Sequence, residues 1–239
     1  MDKAKKHILL LNSEDKSSGT NTDCVFHLNE NELHECNYVS LKDIWLINTI
    51  YNVDVTNNVL SYNIGGITKS ITIPPAQYSA TTLLGQLQSL QSDLSFFNNT
   101  VQLKFIVTST TPSFIIVSSP LAKVIGFTVQ QGASTGYIGD RSYDLIRTKY
   151  LHVVSSKLAE YDAMITSKNK KYPVIASIPV SVPYGYILNQ TQDRDTSDFS
   201  KHNSNLNLSS IDIKFLDDNF NPVDLNGSDW SISFNVYRH

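Results

Sequence analysis

Two pairs of soft ligands lie close together near the N-terminus, Cys24 with His27 and His34 with Cys36. A C-x2-H pair followed by H-x-C could hold a tetrahedral zinc ion. The segment around the first pair alternates as a strand does, which sends Cys24, Phe26 and Leu28 to one face and Val25 and His27 to the other. Ligands on opposite faces cannot share one ion, so no structural metal is expected. A second cluster, Asp217 to Asn221, opens like a calcium loop, whose alternate positions bring oxygens around one cation. Pro222 stands where that loop needs glycine and Ser228 where a carboxylate should close the cage, which leaves an Asp/Asn turn. The chain has no G-x-S-x-G elbow and no glycine-rich phosphate loop behind a strand. His152 lies in the strand-like run from Tyr150 to Val154 and reads as a cross-strand polar partner rather than a base. No catalytic residue, cofactor site or metal ligand is assigned, and the chain is expected not to be an enzyme.

The elements that carry these residues are nearly all strands. Trp230, Ile232, Phe234 and Val236 alternate with Ser231, Ser233, Asn235 and Tyr237, and Ile211, Ile213 and Phe215 alternate with Asp212 and Lys214. Val101, Leu103, Phe105 and Val107 form a third such series. Between Asn37 and Val53 both parities are apolar: Trp45, Ile47, Tyr51 and Val53 share one face, while Ile44, Leu46 and Ile50 take the other. One of those faces needs a covering from a helix, a loop or another subunit. A single amphipathic helix is expected from Ser79 to Leu94, with Leu83, Leu84, Leu87, Leu90 and Leu94 at helical spacing and Ser and Thr to cap it. A second short turn is placed at Ser119 to Phe127. One helix among about ten strands points to an all-β class, a jelly-roll or Greek-key sandwich. Neither a repeat nor a composition shift marks a boundary, so one domain over 1–239 is expected, with residues 1–7 as a flexible tail and Gln190 to Asn207 as a long polar loop.

Composition narrows the partners. Charged residues make up 17% of the 239-residue chain, below the ~25% of ordinary soluble domains, and Ser, Thr and Asn stand in their place. Such side chains enter an interface at lower desolvation cost than charges, although a coding bias toward Asn and Ser would give the same balance. A net charge of −3 does not suit a nucleic-acid binder, and the basic run Lys3, Lys5, Lys6 is the one feature that could face packaged genome. No apolar stretch reads as a signal peptide or a membrane span. Two cysteines are too few for a disulfide scaffold. The Asn-x-Ser/Thr sequons at Asn98, Asn189, Asn207 and Asn226 are what so much Asn, Ser and Thr produces by chance.

The run from Ile211 to Val236, with Asp224-Leu225-Asn226-Gly227 and Asp229-Trp230, resembles the C-terminal hairpin of the penton, or vertex capsid protein, of virophages, Polinton-like viruses and adintoviruses. Four shorter matches follow in the same order. They are the opening Leu9 to Leu28, with Lys16 where Arg is usual; the strand end Ile47 to Val53, with Ile47 for Pro; Ile71 to Leu87, with Ala76 for Gly; and Val124 to Phe127. The resemblance spans nearly the whole chain. It implies a single jelly roll of two facing four-stranded sheets, with Asn226, Gly227, Asp229 and Trp230 as its structural signature. It also implies a role: homopentamers, assembled in the host cell, that close the fivefold vertices of an icosahedral virion beside a double jelly-roll major capsid protein. Trp45, Ile47, Tyr51 and Val53 are the candidate subunit interface. A viral spike or lectin-like module that binds a receptor or glycan is the alternative.

Overall fold

The computed structural model describes residues 5–29, 33–110, 112–128, 132–158, 172–191 and 201–238. The chain opens with β1 (Lys5–Asn12), a 3-10 turn (Ser13–Asp15), β2 (Ser18–Gly19), β3 (Asp23–His27) and the long β4 (Leu33–Ile47). It continues through β5 (Val59–Ile64), β6 (Ile67–Thr72), α1 (Ala80–Ser89), β7 (Ser95–Asn99), β8 (Lys104–Thr108), β9 (Phe114–Val117), α2 (Pro120–Val124) and β10 (Gly136–Ile138). The closing part holds β11 (Tyr150–Val154), β12 (Val174–Pro179), β13 (Ile187–Thr191), β14 (Lys201–Leu208), β15 (Ser210–Leu216) and β16 (Trp230–Arg238). These elements divide into two compact units, residues 1–50 with 148–239 and residues 51–147.

The first unit is a jelly-roll sandwich. Its sheets run β1-β16-β4-β13, with β14 also on β4, and β12-β11-β15-β3-β2. Setting aside the short β2 and the added β14, the principal strands in chain order pair as first, eighth, third, sixth and as fifth, fourth, seventh, second. That is the order two nested Greek keys produce. The alternation read from the sequence decides which residues point inward. Trp230, Ile232, Phe234 and Val236 of β16 face Ile211, Ile213 and Phe215 of β15 across a core completed by Cys24, Phe26, Leu41, Ile44, Leu151 and Val153. A register shift between Ser233 and Phe234 places a bulge in β4 at Lys42, so Leu41 and Ile44 both point inward despite their spacing.

The second unit has its own core, around Leu60, Tyr62, Ile73, Leu83, Leu87, Phe105 and Phe114. Its sheets are β10-β8-β7 and β6-β5-β9. Ser79 begins α1 with a capping box: its hydroxyl accepts from Thr82 N at 3.2 Å and its N–H donates to Thr82 Oγ1 at 2.9 Å. The expected jelly roll over 1–239 thus occupies the flanks of the chain, and a unit with a separate core lies between β4 and β11.

Several expectations need correction. Lys5, Lys6 and His7 are not tail but the start of β1, paired with Arg238, Tyr237 and Val236, because the exposed backbone of β16 offers them a complete ladder. Residues 1–4 lie outside the described residues. Val101 and Leu103 are exposed and sit in a hairpin turn, where Asn99 Oδ1 accepts from Gln102 N at 3.1 Å and Leu103 takes φ 52°; β8 starts only at Lys104. Helix α1 ends at Ser89, and Leu94 reaches the core from the following loop, tethered by the Gln88 and Gln91 side chains. The turn expected near Ser119 is a second, five-residue helix, α2. Of the polar loop expected from Gln190 to Asn207, Gln190 and Thr191 belong to β13 and residues 201–207 to β14, while residues 192–200 lie outside the described residues.

His152 packs where the outer side of the second sheet is closed by the turn after β15. Its Nδ1 lies 2.8 Å from Ser177 Oγ, its cross-strand neighbour, and its ring stacks on Phe220 at 4.7 Å. Burial lowers the ring's pKa from 6.5, against the opposing pull of Asp218 and Asp217. A ring that resists protonation in the folded state leaves stability complete above the unfolded value and erodes it as the pH falls below that value, where the unfolded chain binds the proton first. Urea denaturation from about pH 7.5 down to about pH 5.5 should therefore show a larger loss of stability for the wild type than for His152→Gln. Equal losses would mean the ring is as easily protonated folded as unfolded.

Candidate assembly surface

The two sequence motifs at opposite ends of the chain meet. Ser13 Oγ donates to Asp229 Oδ1 at 2.7 Å across 216 residues of sequence, and Trp230 N donates to Ser13 Oγ at 3.1 Å. Asn21 Nδ2 donates to the same Asp229 oxygen at 3.2 Å, while Asn21 Oδ1 accepts from Lys16 Nζ at 2.8 Å. The Trp230 indole N–H donates to Asn21 O, and its ring meets Phe215 and Phe26 edge-on at 5.2 and 5.9 Å. Asn226 and Gly227 take φ 50° and 78°, and Ser228 N closes the turn on Leu225 O at 2.9 Å. Two successive positive φ values are the demand of a type I′ turn, which Asn-Gly meets at least cost. Asn226 Nδ2 then ties the turn to Thr49 O, just beyond β4. The signature residues therefore seat the first residue of the central strand β16.

Beside this junction a cavity of about 420 Å³ opens on the outer side of the first sheet, with Trp45, Ile47 and Ile187 as apolar walls and Ser13, Glu14 and Asp229 at its rim. Register places Trp45 opposite Ser231 and Ile47 opposite Ile187, all on the outer face. Trp45, Ile47 and Ile187 are 50%, 42% and 51% exposed, and across the sheet Ile8 and Leu10 of β1 are 58% and 60% exposed. Toward the middle of this face the Asp43 carboxylate is already bound. Burial works against the Asp43 carboxylate, but hydrogen bonds from Thr191, Ser233 and Lys42 outweigh it and keep its pKa low. The outer face of the second sheet is different in kind. It carries the Lys214–Asp23 ion pair at 2.6 Å, Asp212, exposed His27 and the stacked His152, Phe220 and Tyr172. One face of the sandwich is finished by its own chain, and the other is left apolar.

The candidate interface of Trp45, Ile47, Tyr51 and Val53 does not survive as one strip. Strand β4 ends at Ile47 because buried Asn48 turns the chain: its N–H donates to Tyr186 O, and its side chain donates to Val182 O at 2.8 Å. Tyr51 and Val53 belong to the second unit, where Val53 is fully buried and bridged to Ala76. Ile8, Leu10 and Ile187 are further exposed apolar residues of this face, not singled out from the sequence. The first two carried the same signal as Trp45, a short apolar run on both parities, while nothing in the sequence shows that Ser13 and Asn21 meet Asp229.

The motifs weighed for chemistry are accounted for by position. Cys24 is buried and its thiol lies 3.6 Å from Ile213 O, with burial pushing its pKa up to about 11, while His27 is exposed on the opposite face of β3. Cys36 is buried in the first sheet, and the His34 side chain lies outside the described residues. Asp217 Oδ1 accepts from the N–H groups of Asn219 and Asn221, both at 2.8 Å, and the Asp218 carboxylate accepts from Lys149 N and Tyr150 N. The Asp217 oxygen serves the turn's own backbone, and the Asp218 oxygens tie the turn to the start of β11.

No protein-family model matches this sequence, and no curated protein matches it. Among solved structures, the chain is similar to the mavirus penton protein, with a TM-score of 0.53 and 11% identity over 98% of this chain and 99% of that one. It is also similar to a chain of the Sputnik virophage, with a TM-score of 0.47 and 9% identity over 100% and 98% of the two chains. At such identities the likeness is one of fold. The chain folds as the mavirus penton protein does.

The junction sets an expected cost. Trp230→Ala should destabilise the protein by roughly 3 to 5 kcal/mol, as for a large aromatic removed from a packed core. Gly227→Ala should cost about 1 to 2 kcal/mol, because nothing crowds the position and only the positive φ is penalised. Chemical denaturation of both variants checks the order, and a reversal would mean that the turn, not the indole, holds β16.

Proposed function

We propose that this protein is a non-enzymatic structural component of a viral capsid, located in the virion, and that five copies close each fivefold vertex of an icosahedral shell. The observation that carries the reading is a fold shared with a penton protein along the whole chain, together with apolar side chains left exposed on one outer sheet face. A closed ring repeats one heterologous contact, so each copy needs two unlike patches. Trp45 and Ile47 belong to one of them. The other walls of the shell would be a double jelly-roll major capsid protein, and assembly would take place in the host cell. Of the basic run Lys3, Lys5 and Lys6, the part ahead of β1 would face the genome; Lys6 lies within β1, exposed and over the Tyr237 ring at 5.7 Å, while Lys3 is outside the described residues.

Light scattering of the purified protein should give about five times 26.7 kDa, and vertices formed with the major capsid protein should contain five copies of this chain. Ile47→Ser should weaken that assembly while leaving the monomer's denaturation midpoint nearly unchanged, because the side chain is half exposed; Val53→Ser should unfold the second unit instead. Shells whose vertices lack this chain would overturn the reading. The cavity beside the exposed Trp45 supports a second one, a spike or lectin-like module, since an aromatic wall with Ser and Asn at its rim suits a sugar ring. Binding on a glycan array together with a stable trimer would select it.

A further inference from the structure

We infer that the β1 edge of one copy docks into the cavity beside Trp45 of the next, so that the two apolar edges of the first sheet are the two unlike halves of a single subunit contact. This rests on the assembly reading above and names the residues that would make it.

The outer face of the first sheet is not uniformly apolar. Its centre is β16, which shows Ser231, Ser233 and Asn235, and the last two are buried low between their neighbours. The apolar side chains stand at the margins. Ile8 and Leu10 lie opposite Asn235 and Ser233 on the β1 side, while Trp45 and Ile187 rise on the β4 and β13 side. The two patches differ in shape: Ile8 and Leu10 of β1 protrude, while Trp45, Ile47 and Ile187 wall a space of about 420 Å³ that extends across Ser231 to Asn12, Ser13 and Glu14 at the end of β1. A knob and a hollow on one molecule cannot meet each other, but they can meet on successive molecules around a ring.

Charge agrees with that pairing. Exposed Lys6 stands beside the knob, and Glu14 and Asp229 line the hollow. Two copies brought together through either patch alone would set like charges against each other, whereas knob into hollow sets unlike ones. A reciprocal two-fold pair, each knob in the other's hollow, would satisfy the same charges, so a double-cysteine variant separates the two: a ladder that stops at the dimer overturns the head-to-tail contact.

Single cysteines at Leu10→Cys and Ile187→Cys test this directly, since both sites are exposed while Cys24 and Cys36 are buried. A short bismaleimide should join the two variants when they are mixed, leave each alone uncoupled, and turn the double variant into a ladder that stops at the closed ring. Lys6→Glu and Glu14→Lys should each raise the concentration needed for assembly several-fold, and the double exchange should restore it. Rings that form without the Leu10–Ile187 coupling would overturn this contact and leave the assembly reading standing. Coupling of either variant to itself, or to the major capsid protein instead, would overturn it as well. A chain that never assembles, even with that protein present, would overturn both.

Discussion

The jelly roll depends on the seating of β16. This strand stands between β1 and β4, so the first sheet is continuous only when segments far apart in the sequence are joined. Ser13 and Asn21 from the N-terminal side hold Asp229 and the backbone and indole N–H groups of Trp230, and the ring then fills the space between Phe26 and Phe215. A buried indole with its N–H satisfied combines a large apolar contact with one directional bond. The strand that follows is thereby started in register, and a slip of one residue would turn Ile232, Phe234 and Val236 out of the core.

With that strand central, the two outer faces of the sandwich have different fates. The turn after β15 folds back so that Phe220, at φ 59°, stacks on His152 and Tyr172 and seals the second sheet. Asp217 and Asp218 make this possible by giving their oxygens to backbone N–H groups. Nothing among the described residues does the same for Ile8, Leu10, Trp45, Ile47 and Ile187. An apolar face that large is costly to leave in water, and repeated copies of one chain are an economical way to cover it.

The second unit sits in the sequence where β4 hands over to β11, and it brings a complete core and its own capped helix. A jelly roll tolerates such an insertion because the two strands on either side are held by their own sheets, β4 by β16 and β13, β11 by β12 and β15. Asn48 marks the exit on the first side by bonding to the β12–β13 connection.

Strand class, the faces of β15 and β16 and the start of α1 were all legible in the chain, because alternation and capping are local properties that need no knowledge of distant residues. His152 as a cross-strand partner of Ser177 was legible in the same way, as was the opposition of Cys24 and His27 across β3. What the sequence could not disclose is which covered face is covered by whom. Trp45 and Val53 carry the same parity pattern, yet one is half exposed and the other fully buried, because Asn48 turns the chain into a different unit between them. The boundary at Ile50 leaves no trace in composition, since both units draw on the same apolar and polar residues. Ser13, Asn21 and Asp229 are ordinary polar residues until tertiary structure brings them within hydrogen-bonding distance, and that long-range closure decides the strand order, the cavity and the side on which the molecule stays open.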